Sequence, residues 1–145
     1  IASPRSVRFV MDKTIYQKWY LTWFLDIFSV VPISGASSKG SLQTVNKLLQ
    51  QGEIVCLFPE GSISYDGQVA AFKKGFERCI EGVDGIILPF YLQGLWGSHF
   101  SRSDSKPHIL SRRYSRRNVS VIFGQPININ THAVDVRQAV IELSP

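Results

Sequence analysis

Sulfur and imidazole are scarce in this chain: two cysteines, one methionine and three histidines occur among 145 residues. Cys56 and Cys79 stand in an apolar run and a helical run, with no Cys-x-x-Cys spacing and no histidine cluster beside them. This excludes a disulfide scaffold and a recognisable metal site, so neither metal nor cofactor is expected. Both thiols read as reduced core residues of a protein facing the cytosol. Long hydrophobic runs are missing too. The most apolar stretch, residues 19–33, is interrupted by Thr22, Asp26, Ser29 and Pro32, whereas spanning a bilayer takes about 20 predominantly apolar residues. No segment therefore reads as membrane-spanning. The chain opens Ile1-Ala2-Ser3 without an initiator methionine, a basic n-region or a signal-type apolar stretch, and it reads as cut from something longer. Internal repeats and low-complexity segments are also absent.

What is present is enough apolar residue, 44%, for one sizeable core, and residues 1–145 read as a single domain. The net charge of +5 is unevenly placed. Residues 102–117 carry Arg102, Lys106, Arg112, Arg113, Arg116 and Arg117 against one acid, Asp104, so the whole surplus belongs to this segment. An anionic partner is expected there, unless the segment is simply a solvated loop.

Hydrophobic periodicity predicts a strand over residues 7–11. A helix over 13–28 follows, from the four-residue spacing of Ile15, Trp19, Trp23 and Ile27, with Asp12 or Thr14 as its cap. A short strand at 30–33 and an amphipathic helix through Leu42, Val45, Leu48 and Leu49, ending before Gly52, come next. The apolar run 54–58 suits a buried strand, residues 59–67 a loop closing on the Asp66-Gly67 turn signal, and 74–82 a short helix. Residues 85–92 read as one strand with Pro89 at a bulge or an edge. Residues 119–123 read as a strand and 132–143 as a weak final helix. Alternating strands and helices predict an α/β fold with a largely parallel or mixed central sheet flanked by helices.

Two strings carry chemistry. Leu57-Phe58-Pro59-Glu60-Gly61-Ser62 ends a buried strand in a proline, an acid and a glycine. In open α/β sheets the crevice beyond the carboxyl ends of strands binds ligands. Glu60 would stand at such a mouth, and Gly61 would let a substrate approach the backbone; the plainer reading is a turn with a solvated glutamate. Phe72-Lys73-Lys74-Gly75-Phe76 follows at a helix start, where free N–H groups favour an anion. Lys73 and Lys74 there suit a phosphate, or are surface lysines only. The helix predicted at 13–28 is aromatic on nearly every side, with Trp19, Tyr20 and Trp23 prominent. Core packing explains one face; the excess suits a membrane interface or an acyl pocket.

Taken in order, the Phe58-Pro59-Glu60-Gly61 string, the Phe72-Lys73-Lys74-Gly75 string and the Pro-containing apolar block Ile87-Leu88-Pro89-Phe90-Tyr91-Leu92 resemble the 1-acylglycerol-3-phosphate acyltransferase family. The resemblance runs from about Val7 to Phe123. It implies that Pro59, Glu60, Gly61 and Ser62 shape an acceptor site whose phosphate is held by Lys73 and Lys74. Within the family, Gln17-Lys18-Trp19-Tyr20, Val31-Pro32-Ile33 and His99-Phe100-Ser101-Arg102 look most like the acyltransferase domain of 2-acylglycerophosphoethanolamine acyltransferases. The implied reaction moves a fatty acyl group from an acyl carrier protein or coenzyme A thioester to the free hydroxyl of a lysoglycerophospholipid. The implied setting is the cytoplasmic face of a bacterial inner membrane, on an anionic surface, in some cases fused to a lysophospholipid transporter or an acyl-carrier-protein ligase.

Departures from the family pattern shape these expectations. Ser62-Ile63-Ser64 stands where many members have Thr-Arg-Ser, and no arginine lies near Ile33-Ser34. A bare phosphate monoester would be held less tightly, favouring a capped lysophospholipid such as lysophosphatidylethanolamine. The family's Asn-His-x4-Asp block, which supplies the general base, is expected upstream of Ile1, leaving a domain truncated on its N-terminal side, without a catalytic residue of its own and inactive alone. His99 and Asp104 share the His-x4-Asp spacing but follow the Pro-Glu-Gly string and lack the asparagine, so they read as a decoy; His108 and His132 read as surface residues. The alternative function is a non-catalytic module binding anionic lipid or nucleic acid through residues 102–117. Nucleic acid is disfavoured, because the cluster offers only Phe100 and Tyr114 for stacking.

Overall fold

Strand β1 (Val7–Asp12) is shared between two parallel neighbours. Its first half pairs with β3 (Ile54–Cys56), Val7 opposite Ile54 and Phe9 opposite Cys56. Its second half pairs with β2 (Val31–Ile33), Val10 opposite Val31 and Asp12 opposite Ile33. The sheet order is β2-β1-β3. The computed structural model describes residues 5–12, 31–33, 39–62, 64–96 and 118–145. The predicted aromatic helix at 13–28 and the basic segment 102–117 lie outside them. Two units make up the chain: Ile1–Gly61 with Lys73–Gly85, and Ser62–Phe72 with Ile86–Pro145.

In the first unit, α1 (Lys39–Gln50) lays Leu42 and Val45 into the core, where they meet Cys79 and the partly buried Val10, Leu49, Val55 and Leu57. The three- and four-residue spacing of Leu42, Val45 and Leu49 puts them on one helical face. Val45 is the most buried side chain described, at 1% exposure. The helix stops where the sequence predicts. Gly52 adopts φ 78°, its N–H bonds to the Leu49 carbonyl at 2.9 Å, and the Glu53 N–H reaches the Leu48 carbonyl at 3.0 Å, a glycine-terminated Schellman cap. Asn46 on α1 donates to the carbonyls of Cys79 (3.0 Å) and Glu81 (2.9 Å). It thereby satisfies carbonyls at the end of α2 (Gly75–Ile80) that a helix leaves unpaired. The Arg8–Glu53 ion pair, 3.5 Å apart, is exposed enough to add little.

In the second unit, the run expected as one strand over 85–92 is two. Strand β4 (Ile86–Ile87) pairs antiparallel with β7 (Ile127–Asn128), and β5 (Phe90–Gln93) pairs antiparallel with β6 (Ser120–Phe123). Pro89 causes the break. It is buried and cannot donate to a ladder, while its carbonyl still accepts the Gly124 N–H at 2.9 Å. Pairing therefore passes from β7 to β6 across it. Strand β7 was not expected, being too short for a periodic signal. Helix α3 (Ala133–Ile141) buries Ala133 and Val136. Gly94, at φ 90°, faces the Asn118 carbonyl so closely that no side chain fits between them.

The fold is α/β, as expected, with a parallel three-stranded sheet and two antiparallel pairs beside helices. The strand predicted at 54–58 ends early, at Cys56, because a turn begins two residues later. The short helix spans Gly75–Ile80 rather than 74–82, and the last helix ends at Ile141. No helix among the described residues is long and apolar enough to cross a membrane.

Candidate functional site

Beyond β3 the chain reverses within four residues. The Gly61 N–H bonds to the Phe58 carbonyl at 3.0 Å, closing a turn with Pro59 and Glu60 at its corners. Proline presets the backbone angle that the first corner needs, and glycine is favoured at the last position. Gly61 takes φ 65°, a left-handed conformation that L side chains disfavour. The Pro59 carbonyl then accepts the Lys73 N–H at 2.9 Å. Two strings separated by Ser62–Phe72 are thus tied through the main chain.

The side chain of Lys73 completes the arrangement. It lies across Gly61: a Cβ there would stand 2.5 Å from the lysine Nζ, 2.8 Å from Cε and 3.1 Å from Cδ. Only the missing side chain of Gly61 lets the ammonium rest against this turn, one residue from the Glu60 carboxylate-bearing position. The result is a positive group beside a main-chain turn, with a half-buried acid next to it. Chemically, such a site can hold an oxyanion through the lysine and orient a hydroxyl through the glutamate.

Lys74 is placed differently. It is exposed at the N-cap of α2, with no side-chain capping bond, while the carbonyls of Lys73 and Lys74 accept the N–H groups of Phe76 (3.1 Å) and Glu77 (3.2 Å). Ser62 is exposed and opens the second unit. Trp19, Tyr20 and Trp23, and His99 with Asp104, lie outside the described residues. Burial pushes the thiols of Cys56 and Cys79 up to about 11; both are protonated near neutral pH and unsuited to act as nucleophiles. Among the described residues no three His, Cys, Asp or Glu side chains converge to hold a metal ion.

The segment between the two strings has its own architecture within the second unit. Ser64 Oγ accepts the Gly67 N–H (2.9 Å) and donates to the Gln68 carbonyl (3.0 Å), and Asp66 Oδ1 accepts the Gln68 N–H (2.9 Å). Gly67, at φ 83°, lies under the Trp96 ring, whose atoms stand 2.9–3.1 Å from where a Cβ would be. Arg137 of α3 donates to the Val69 carbonyl (2.7 Å) and the Ala70 carbonyl (2.8 Å). Sequence reasoning passed over Arg137. The available signal was its isolation as the only Lys or Arg after Arg117.

A family model described as Acyltransferase matches residues 1–93. The chloroplastic 1-acyl-sn-glycerol-3-phosphate acyltransferase LPAT1 of Arabidopsis thaliana is 27% identical over 93 residues, covering 62% of this chain and 26% of that protein. A probable 1-acyl-sn-glycerol-3-phosphate acyltransferase of Mycoplasma pneumoniae is 27% identical over 124 residues, covering 79% of this chain and 45% of that protein. The chain thus spans less than half the length of these relatives. The crystal structure of PlsC, the 1-acyl-sn-glycerophosphate acyltransferase of Thermotoga maritima, superposes with a TM-score of 0.62 at 18% identity, over 94% of this chain and 55% of that one. That likeness is one of fold.

Proposed function

Since the chain belongs to the acyltransferase family, we propose that it forms the acceptor-binding part of a glycerophospholipid O-acyltransferase. The enzyme moves a fatty acyl group from an acyl carrier protein or coenzyme A thioester to the free hydroxyl of a lysoglycerophospholipid. In that reaction the hydroxyl oxygen bonds to the acyl carbon, the carbon–sulfur bond breaks, and the thiol leaves with the hydroxyl proton. The observation that carries the reading is the Lys73 ammonium lying across Gly61 in the Pro59-Glu60-Gly61 turn. An acceptor needs a cation for its phosphodiester and a polar group for its glycerol, and the turn presents both.

Lys73 binds phosphate, Glu60 orients the glycerol, and Lys74 and Ser62 line the approach to the turn. The absence of arginine after the turn glycine, where Ser62-Ile63-Ser64 stands, favours an acceptor with a capped phosphate, of the lysophosphatidylethanolamine type. The general base is a histidine–aspartate pair supplied by the family's Asn-His-x4-Asp block, a string this sequence does not contain. The basic surplus of residues 102–117 and the aromatic residues Trp19, Tyr20 and Trp23 support work at an anionic membrane surface, which we take to be the cytoplasmic face of a bacterial inner membrane.

The test is Glu60→Ala in the intact enzyme, with initial rates measured against lysophospholipid and against acyl thioester. Acyl transfer should fall by at least about 10-fold, a loss out of proportion to the destabilisation of about 0.5–3 kcal/mol typical of a point substitution, with the melting temperature measured alongside. A variant with unaltered rate and acceptor KM would sink the assignment.

A further inference from the structure

Within the second unit, Val119, Val121 and Phe123 alternate along β6 and the residue before it, so their side chains share one face. They are 51%, 48% and 48% exposed. An antiparallel pair that turns one face to water ordinarily shows polar residues there, yet this face is apolar on both strands. Leu92 stands opposite Val121 and Phe90 opposite Phe123, the two phenylalanine rings 6.1 Å apart. Gly94 lies against the Asn118 carbonyl, so Trp96 and Val119 leave the ladder at the same end. Leu95 and Trp96 are 43% and 40% exposed there, and the Trp96 ring is seated against Gly67, whose missing side chain makes room for it. An exposed apolar surface of this kind marks a binding face. Its occupant is chosen by charge and by the tryptophan. The sequence that joins Trp96 to Val119 holds six basic residues against one acid, the whole positive surplus of the chain, and a polybasic stretch is drawn to an anionic leaflet. Tryptophan at the edge of an apolar face favours the boundary between headgroup and hydrocarbon. An acidic protein would match the charge alone, whereas an anionic bilayer offers phosphate and hydrocarbon together.

We propose that the exposed face of β6, formed by Val119, Val121 and Phe123 with Trp96 at its end, is a surface on which the protein rests against an anionic bilayer, its apolar side chains entering the headgroup boundary. The inference rests on the membrane reading above and adds the strand that makes the contact. It concerns the second unit alone and is independent of how the acceptor turn is built.

The experiment places a nitroxide on Val119→Cys and on Val121→Cys in the intact protein, with Val134→Cys of α3 as comparator, since Val134 is 77% exposed but lies on a helix away from the ladder. Collisions of each label with oxygen, which enters lipid, and with a nickel complex, which stays in water, are measured with vesicles of phosphatidylcholine alone or mixed with phosphatidylglycerol. The ratio of oxygen to nickel collisions should rise several-fold at 119 and 121 on phosphatidylglycerol vesicles, change little on phosphatidylcholine alone, and stay level at 134. At about 1 M salt, where screening acts within about 3 Å, most of the rise should be lost. Val119 has no ladder partner, so its label decides the matter if the variant at 121 does not fold. Labels at 119 and 121 that remain in water while the protein is held on phosphatidylglycerol vesicles overturn the proposal and leave the membrane reading standing. A protein that neither vesicle retains overturns both. Labels already shielded from both quenchers before lipid is added, or shielded by added acyl carrier protein and not by vesicles, show a face covered by protein and overturn the proposal as well.

Discussion

Replacing Gly61 by alanine perturbs the proposed acceptor site in two separable ways. The backbone holds φ 65°, and a left-handed conformation costs an L-residue roughly 1–2 kcal/mol. The lower chain entropy of the unfolded alanine variant offsets about 0.4–1 kcal/mol of that. The new Cβ would also stand 2.5 Å from Lys73 Nζ and 2.8 Å from Cε. Those atoms belong to the end of an exposed, flexible side chain, so Lys73 moves away for about 0.5–1.5 kcal/mol of rotamer cost at most. Stability should therefore fall by only about 1–2 kcal/mol in a denaturant titration. Acceptor binding should fall further. If the lysine makes one charge-assisted bond to phosphate, worth about 1.5–3 kcal/mol, displacing it raises acceptor KM by roughly 10- to 100-fold. A double-mutant cycle with Lys73→Ala isolates the mechanism. In the Lys73→Ala background the alanine at 61 has nothing left to displace, so it should cost backbone strain and little further affinity. Equal KM penalties from Gly61→Ala with and without Lys73 would refute the idea that the glycine exists to seat the lysine.

Other substitutions probe the scaffold and the chemistry around it. Gly94→Ala should be the most damaging glycine change described, costing more than about 3 kcal/mol or preventing folding, because the Asn118 backbone carbonyl occupies the space and cannot swing aside; a melting temperature near wild type would contradict it. Val45→Ala removes two methyl groups from the most buried position described and should cost about 2–3 kcal/mol in denaturant unfolding. Cys56 and Cys79, raised by burial from 9.0 to about 11, should react slowly with thiol reagents at pH 8 until the protein unfolds. Since the unfolded thiols lose their protons above pH 9 while the folded ones keep theirs, stability contributed by burying them is complete below pH 9 and is lost as pH rises toward 11; stability that rises over this window would contradict the assignment. For the proposed membrane role of residues 102–117, sedimentation with anionic vesicles should weaken as salt is raised, while equal binding to neutral vesicles would give the segment another role.

The α/β fold and the two strings of the site were legible in the residues because they rest on local chemistry. Period and capping reported α1: Leu42, Val45 and Leu49 define its buried face, and Gly52 closes it where a glycine-terminated cap should be. Pro59 and Gly61 likewise announce a turn, each at the position its backbone geometry suits. What stayed hidden depends on partners distant in sequence. The run 86–92 is apolar throughout, and 85–92 reads as one continuous strand. Its division at Pro89 is decided by the availability of two different neighbours, β7 and β6, and by a carbonyl that finds Gly124. Strand β3 is shorter than its apolar run because Phe58 is drawn into the turn, where its carbonyl accepts from Gly61 rather than continuing the ladder.

The same distinction separates Lys73 from Lys74, which sequence alone treats as a pair. Both follow Phe72 and both precede the short helix α2, so composition and the helix terminus favour neither. The structure differentiates them by the main chain. The Lys73 N–H is bonded to Pro59, which sets its Cα beside the turn and allows its side chain to cross the one residue without a Cβ. Lys74, one step further, is already the N-cap of α2 and is directed by the helix instead. A cation held at a turn by a backbone bond loses less freedom on binding an anion than one on a free surface, because part of its ordering is complete before the ligand arrives. It follows that exchanging the two roles should be asymmetric. Lys73→Gln should weaken acceptor binding strongly, whereas Lys74→Gln, which removes the same charge one residue away, should change acceptor KM by no more than about two- to threefold, the size expected of an exposed and largely screened charge. Equal losses from the two substitutions, measured at the same ionic strength, would mean that bulk positive charge rather than the seating of Lys73 on Gly61 governs the acceptor, and the geometric argument for the site would fail.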